Sequence, residues 1–459
     1  MTPSLLAVPG APSLNGVLGG DHRPLVEALE RWLPPQRWFP AKLGTLHRAE
    51  IAGWCPLDGH ARAAVVLVRC ETGDPEPLWL QLVLGLTRPG TAQAAIVEGV
   101  AQSPALHAIA RFVTGGGTAE GPGLRLESEW EAEPAALRPR TFAAEQSNSS
   151  LRLGNRALVK LYRRIRFGPN PEVELLRYLG GEAGFAGAPR FLGAGRGQSS
   201  GGSYDAWVAQ ELLPRAADGW SWFLARLRTA GTMPRSLVRE ARSLGELTGM
   251  LHIALARARG PGLTPQPAGR ERFAEAAAAE ADGARRLAAV LAEAGHDPTP
   301  IEGAVRALER WRPPEGSLGL AIRIHGDYHL GQVLRSRRRW YVSDFEGEPA
   351  RPLEERRSLQ SPLADVAGML RSFDYLVRAA QSAGSTADEG PLRASFLTGY
   401  RESAGTASNL LPTSPAFEQL LTFFELRKAL YEVRYEADNR PSWVSIPLAA
   451  VARLAEALA

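Results

Sequence analysis

The chain reads as an α+β protein in which two β-rich segments precede a larger, mainly helical C-terminal part. Three observations carry this. Residues 51–86 and 140–162 contain short runs of Val, Leu and aromatic residues separated by Gly, Asp and Pro. From Ser221 onward apolar residues recur at helical spacing. One β-like interruption, at 320–324 and 340–345, then breaks the helices. At 459 residues the length allows roughly two to four domains.

The elements follow in order. Residues 1–23, rich in Pro, Gly, Ser and Leu without a period, are expected to form a flexible leader. Residues 25–33 fit a short amphipathic helix that Pro34 and Pro35 stop. Runs at 64–68 and 78–84 read as strands of a small sheet, 92–114 reads as helical, and Gly115, Gly116 and Gly117 close that region. After the second β-rich segment comes a helix at 171–179 with Glu172 and Glu174 in its first turns. Strands are expected at 188–192 and 206–213, and helices at 236–258, 272–294, 301–310, 365–380, 390–404 and 416–437. The resulting division is a cap over 24–117, a β-rich lobe over 118–213 and a helical lobe over 214–459.

Composition excludes several classes. With 44% hydrophobic and 22% charged residues the chain is neither disordered nor fibrous. A net charge of +4 spread over this length makes no basic stripe, and the densest cluster (Arg335, Arg337, Arg338, Arg339) is a single loop, so no nucleic-acid partner is expected. Cys55 and Cys70 are too few for a disulfide framework or a zinc site. No apolar run approaches the 18 or so residues of a spanning helix, and the N-terminus lacks a signal-peptide pattern, so the expectation is a cytoplasmic monomer without a membrane partner. Only three of the 53 basic residues are lysines, Lys42, Lys160 and Lys428, so each stands out.

The chemistry concentrates in His325-Gly326-Asp327-Tyr328-His329-Leu330-Gly331-Gln332 and, twelve residues on, Asp344-Phe345-Glu346-Gly347-Glu348. Ile322, Ile324, Val333 and Leu334 bracket the first loop and Tyr341 and Val342 lead into the second, so both acids can emerge at the ends of neighbouring short strands. Side-by-side loops of carboxylate and amide oxygens suit Mg²⁺, a hard cation. Phosphoryl transfer needs a carboxylate near the acceptor hydroxyl, a metal-holding carboxylate and a cation on the phosphates. Asp327, Gln332 and Asp344 supply the first two. Lys160, in the apolar run 157–162, supplies the third, with Glu174 as a candidate partner. A strand-end lysine reaching solvent is the plainer alternative.

His-Gly-Asp with an amide five residues after the Asp, then Asp-Phe-Glu, resembles the aminoglycoside phosphotransferase branch of the protein-kinase-like fold. The chain is more closely similar to the bacterial maltokinases, through segments 36–42, 145–150, 158–164, 325–332, 344–349, 361–375 and 431–443. The resemblance implies a bilobal kinase fold with an N-terminal β-rich cap, using ATP and Mg²⁺ on a small-molecule sugar. Asp327 would be the base or hydroxyl-orienting residue, Gln332 and Asp344 the Mg²⁺ ligands, and Lys160 with Glu174 the holder of the α/β phosphates. Gln146, Ser147, Asn148, Ser149 and Ser150 would replace a glycine-rich phosphate loop, a plain polar hairpin being the alternative. Gln210, Glu211 and Leu213 would lie in the adenine-binding hinge. His325 would hold the loop backbone and Asp365 would support it. Glu346 and Glu348 are either water-mediated metal ligands or ordinary loop acids.

For the acceptor, Tyr431, Glu432, Tyr435, Glu436, Asn439, Arg440 and Trp443 combine aromatic faces with hydrogen-bonding groups, as a sugar platform requires. Helical spacing alone favours packing of one pair of these against the core, a preference that the resemblance reverses. The resemblance implies conversion of maltose to maltose 1-phosphate, with glucosamine or an aminoglycoside as alternative acceptors. Arg427, where close relatives are expected to carry an acid, is a departure that reverses a local charge.

Overall fold

The computed structural model describes residues 5–8, 10, 13–39, 45–59, 62–88, 90–101, 103–131, 138–142 and 148–459. Contacts divide the chain into two compact units, residues 1–177 with 189–214, and residues 178–188 with 215–459.

The first unit holds two antiparallel sheets. One contains β1 (Leu6–Ala7), β2 (Arg48–Pro56), β3 (Ala63–Glu71), β4 (Leu78–Thr87) and β5 (Ala95–Glu98) in the order β1-β5-β4-β3-β2. Helices α1 (Leu14–Leu18) and α2 (Arg23–Trp32) cover it, and α3 (Ser103–Gly115) follows β5. The other sheet holds β6 (Gly117–Gly121), β7 (Leu124–Trp130), β8 (Pro139–Phe142), β9 (Ser149–Leu153), β10 (Ala157–Leu161), β12 (Phe191–Ser199) and β13 (Gly202–Glu211), ordered β6-β7-β12-β13-β10-β9-β8. Strand β3 reads Ala-Ala-Val-Val-Leu-Val without polar alternation because nearly every position is buried. The 25–33 helix and the 64–68 and 78–84 strands lie within observed elements of the expected type.

Two expectations are corrected here. The 1–23 segment does not behave as a flexible leader over its described residues: β1 pairs with β5, and Leu14 and Leu18 are fully buried in the cap core beside Leu25, Leu29 and Trp32. Each such leucine contributes about 1.5–3 kcal/mol when buried, which outweighs the local turn signals of Pro and Gly. The expected helix at 92–114 begins only at Ser103; the earlier Ile96 and Val97 are β5 residues buried against β4.

A short strand, β11 (Arg164–Ile165), leaves the second sheet's neighbourhood and pairs with Leu80 and Trp79 of β4. Beside it the buried Gln81 amide donates to the carbonyls of Tyr162 (3.1 Å) and Ala206 (2.9 Å), and the Tyr204 hydroxyl donates to its oxygen (3.3 Å). The two sheets therefore share polar interior as well as apolar contacts. Helix α4 (Pro171–Gly180) starts in this unit.

The second unit is mainly helical: α5 (Gly219–Ala230), α6 (Arg235–Ala256), α7 (Arg270–Glu293), α8 (Thr299–Arg310), the short α9 (Leu353–Arg356), α10 (Leu363–Gln381), α11 (Gly390–Ala404), α12 (Ala416–Asn439) and α13 (Ser445–Leu458). Small β-pairings interrupt them: β14 (Ala217–Asp218), β17 (Val333–Ser336) and β18 (Arg339–Val342) form one sheet, β15 (Gln266–Pro267) and β16 (Leu320–Ala321) another. Helix α10 is buried along almost its whole length, so it reads as apolar on several faces and its polar residues must all find partners. Among the described residues no helix is long and apolar enough to cross a membrane.

Candidate active site

The loop 325–332 precedes β17, and one stripe of α10 fixes it. Asp365 accepts the backbone N–H groups of His325 (2.8 Å) and Gly326 (2.9 Å) and faces His252 Nε2 at 3.2 Å. A Cβ at Gly368 would stand 2.5 Å from the Tyr328 carbonyl oxygen, so glycine lets the helix touch the loop. Ser372 Oγ accepts the Leu330 N–H at 3.1 Å. These positions recur every three to four residues and share a helix face. Gly326, at φ +82°, takes the left-handed turn that brings Asp327 forward. His325 joins the two loops: Nε2 donates to the Ser343 carbonyl (2.9 Å), leaving Nδ1 to accept the Asp327 N–H (3.3 Å).

Asp327 opens on a cleft lined by Glu348, Arg351, Arg356, Lys428 and Tyr431 among others. Its Oδ1 lies 3.3 Å from Lys428 Nζ and its Oδ2 3.8 Å from His329 Nε2. Burial alone would push the Asp327 carboxyl up; the Lys428 ammonium, then His329 and His325, outweigh this and hold it well below the usual carboxylate range. Lys428 is shifted the complementary way, burial being overcome by Asp327, Glu348 and Glu432. Both partners are therefore ionised at neutral pH. On the neighbouring turn, Gln332 Nε2 donates to Asp344 Oδ2 at 3.0 Å, and Asp344 adopts φ +64°. An amide and a carboxylate brought together on adjacent loops form a donor set that fits a hard divalent cation.

In the first unit, Lys160 is almost fully buried in β10 and its ammonium lies 3.1 Å from Glu172 Oε2. The expected partner was Glu174. Glu172 stands two residues earlier on α4, and its Oε2 also accepts the Tyr162 hydroxyl at 2.9 Å. Glu174 is only half-buried. Of the expected phosphate loop, Gln146 and Ser147 lie outside the described residues. Asn148 and Ser150 are buried, Asn148 Oδ1 accepts the Arg163 N–H at 3.4 Å, and Ser149 and Ser150 belong to β9, with Ser150 opposite Lys160. In the expected hinge, Gln210 pairs with Leu158 in register, the Glu211 N–H is taken by the Arg190 carbonyl (2.8 Å), and Leu213 is buried.

The expected acceptor residues separate. Tyr431 lines the cleft, its ring 4.9 Å from Lys428 Nζ and 6.4 Å from the Tyr435 ring. Burial, with Glu348 beside it, raises its phenol well above the ordinary range, so it is a neutral hydrogen-bonding group. Glu432 instead turns to the fully buried Arg371 of α10, receiving Nε at 2.9 Å and Nη2 at 2.7 Å. Glu436 accepts from Arg440 Nε (2.8 Å) and the Tyr375 hydroxyl (3.3 Å), Asn439 caps the Tyr435 carbonyl, and Trp443 stacks on Tyr375. Glu432, Glu436 and Trp443 thus meet side chains of α10, against which α12 packs. Glu348 belongs to the cleft, 3.8 Å from Lys428.

Sequence reasoning did not assign Lys428, Glu172 or Arg371. The scarcity of lysine was the available signal for the first; the other two are ordinary first-turn and mid-helix residues whose partners lie far along the chain.

Residues 32–109 match the family described as the maltokinase N-terminal cap domain. A glucosamine kinase of Streptacidiphilus jiangxiensis is 30% identical over 442 residues, covering 86% of this chain and 96% of that protein. A glucosamine kinase of Mycolicibacterium smegmatis is 30% identical over 342 residues, covering 70% and 81%. A glucosamine kinase solved in complex with glucosamine, ADP and inorganic phosphate superposes with a TM-score of 0.63 at 22% identity over 99% of this chain and 100% of that one. A second crystal form gives 0.66 at 23% identity over 93% and 98%. The fold is thus the bilobal protein-kinase-like fold with an N-terminal cap, and the chain is a phosphotransferase that belongs to the glucosamine kinase family.

Proposed function

We propose that this chain transfers a phosphoryl group from ATP to a hydroxyl of an amino sugar, with glucosamine as the preferred acceptor. The observation that carries the reading is Asp327, ionised at the floor of a cleft beside Tyr431, with Gln332 and Asp344 in contact on the adjacent turn. Magnesium-bound ATP would supply the phosphoryl group, with the metal offsetting its charge; Gln332 and Asp344 are the residues suited to hold that metal. Lys160, paired with Glu172 in an apolar strand, suits the nucleotide phosphates. Asp327 accepts the hydrogen bond of the acceptor hydroxyl, which aims its oxygen and draws off its proton as the bond to phosphorus forms. Tyr431 offers a ring face to the sugar's C–H surface.

Glucosamine is preferred because relatives of that name align over most of this chain. Maltose, giving maltose 1-phosphate, is the second reading, favoured by the match of residues 32–109 to the maltokinase cap. Purified protein incubated with Mg²⁺ and ATP and, in turn, glucosamine, maltose, glucose, trehalose and an aminoglycoside separates these, with ADP release as readout. The highest kcat/KM is expected with glucosamine; a higher value with maltose overturns the acceptor. Asp327→Asn is expected to keep ATP binding and lower kcat by about 10²- to 10⁴-fold. Near-normal turnover in that variant defeats the mechanism.

A further inference from the structure

The cleft contains a cation for which the proposed reaction has no role. Lys428 projects from α12 with its ammonium 3.3 Å from Asp327 Oδ1 and 3.8 Å from Glu348 Oε2. One turn further along α12, Glu432 is gripped by Arg371, and Arg371 also bonds Asp374. Arg371 lies six residues beyond Asp365 on α10, and Asp365 holds the backbone of the loop that bears Asp327. The same helix therefore fixes the loop that carries the acid and the helix that carries the ammonium.

We propose that Lys428 is a positioning residue for Asp327: it occupies Oδ1, so that Oδ2 is the oxygen presented to the acceptor hydroxyl, and α10 is the common frame that sets the pair. The inference rests on the reading of Asp327 as the residue that receives that hydroxyl.

The other charged groups around Asp327 do not replace Lys428. On its own loop, His325 has Nε2 committed to Ser343 and Nδ1 to a backbone N–H. His329 approaches only Oδ2, at 3.8 Å, while its Nδ1 accepts the Gly331 N–H. On α12, Arg427 turns away to Glu280 and Tyr431 is neutral. From the segment after β18, Arg351 pairs with Glu355, Arg356 donates to the Glu346 carbonyl, and Glu348 faces Lys428. Asp365 of α10 is committed to amide N–H groups and His252. Without Lys428, burial acts against the two histidines alone, so the Asp327 carboxyl moves up, and Oδ1 loses the partner that fixes which oxygen meets the hydroxyl.

The test compares wild type, Lys428→Met, Lys428→Arg and, as a control, Arg434→Gln, which removes an exposed cation from the same helix. With the sugar that wild type turns over, Lys428→Met is expected to lose about 10²-fold in kcat with little change in KM for ATP. The acid limb of its kcat/KM profile should move up by about one to three pH units, as loss of an adjacent opposite charge predicts. Lys428→Arg should keep the limb near its wild-type position, and Arg434→Gln should leave both quantities unchanged. A carboxyl ¹³C titration, with the Asp327 signal identified by its loss in Asp327→Asn, reads the same shift without any substrate. An unmoved limb or an unmoved Asp327 titration in folded Lys428→Met overturns the inference; should that variant not fold, a limb shifted by Lys428→Arg as far as predicted for Met overturns it too. Wild-type protein that turns over none of the sugars overturns the proposed function instead, and the ¹³C titration still decides Lys428.

Discussion

Replacing Arg371 by Met isolates what a buried charge network costs and what it is for. The guanidinium is about as buried as any side chain in the protein, 1% exposed, and it faces two acids, Glu432 and Asp374, that are 13% and 9% exposed. Removing one member of such a set leaves its partners charged in the interior, a loss of about 3–5 kcal/mol. For a unit of this size that corresponds to a melting temperature lower by roughly 10 °C. The pH dependence has a definite sign. Once the guanidinium is gone, burial raises both carboxyls above their unfolded values, so the folded state binds more protons than the unfolded one between about pH 4 and 7. The deficit should therefore grow as pH rises through that window and fade below it. The companion variant Arg371→Met, Asp374→Leu, Glu432→Leu removes the acids too and should recover stability to within about 1 kcal/mol of wild type or exceed it. It should still turn over slowly, because α12 has lost the tie that places Lys428. Circular dichroism melts across pH, with kcat for the same proteins, measure both. An Arg371→Met melt within about 2 °C of wild type at pH 8, or a triple variant no more stable than the single one, refutes the reasoning.

Two further outcomes follow from buried polar groups elsewhere. Gln81→Leu removes the amide that bonds the Tyr162 and Ala206 carbonyls, the latter keeping the Tyr162 N–H, and takes away the acceptor of the Tyr204 hydroxyl, so the first unit should lose about 1–3 kcal/mol in chemical denaturation, and KM for ATP should rise because Tyr162 also braces Glu172. A loss confined to stability, with KM unmoved, would separate the cap from the nucleotide site. Glu389 is pushed up to about 7 by burial, with Asp374 adding to it. Its folded form holds a proton that the unfolded chain releases from about pH 4.3 upward, so its contribution falls as pH rises to about 7 and is flat beyond. Glu389→Gln should gain stability relative to wild type across that window in pH-dependent melts; a pH-independent difference sinks the assignment.

The fold was legible where the signal was local. The helices over 236–258, 272–294 and 416–437 announce themselves by period, and β3 and β4 by unbroken apolar runs, because these patterns are set by neighbours a few residues away. The N-terminal segment was not legible. Gly10 and Gly19 do lie in turns, but Leu14 and Leu18 are held by a core whose main strands begin thirty residues later, and nothing in a seven-residue window reports that. The stretch 92–114 failed for a related reason: Ile96 and Val97 suit either state, and pairing with β4 decides between them.

The site divides along the same physical line, and this bears on how far its chemistry can be trusted to sequence. Asp327, Gln332 and Asp344 stand out as candidates because phosphoryl transfer restricts which side chains will serve and the two loops carry them at short spacing. Glu432 and Glu436 suit a sugar contact by side-chain type, and the sequence does not show that each also meets an arginine, Arg371 or Arg440. A buried acid and a ligand-binding acid differ only in what stands opposite, and for Glu432 that residue is 61 positions away. Lys428 is the instructive intermediate. Its rarity marked it, but its role depends on α10 holding the loop through Asp365 and α12 through Arg371, two contacts with no common sequence signature. If Lys428 sets the protonation of Asp327, then substitutions along α10 that never touch a substrate should move the acid limb of the rate profile, and their effects should follow the Lys428 to Asp327 distance rather than the loss of stability.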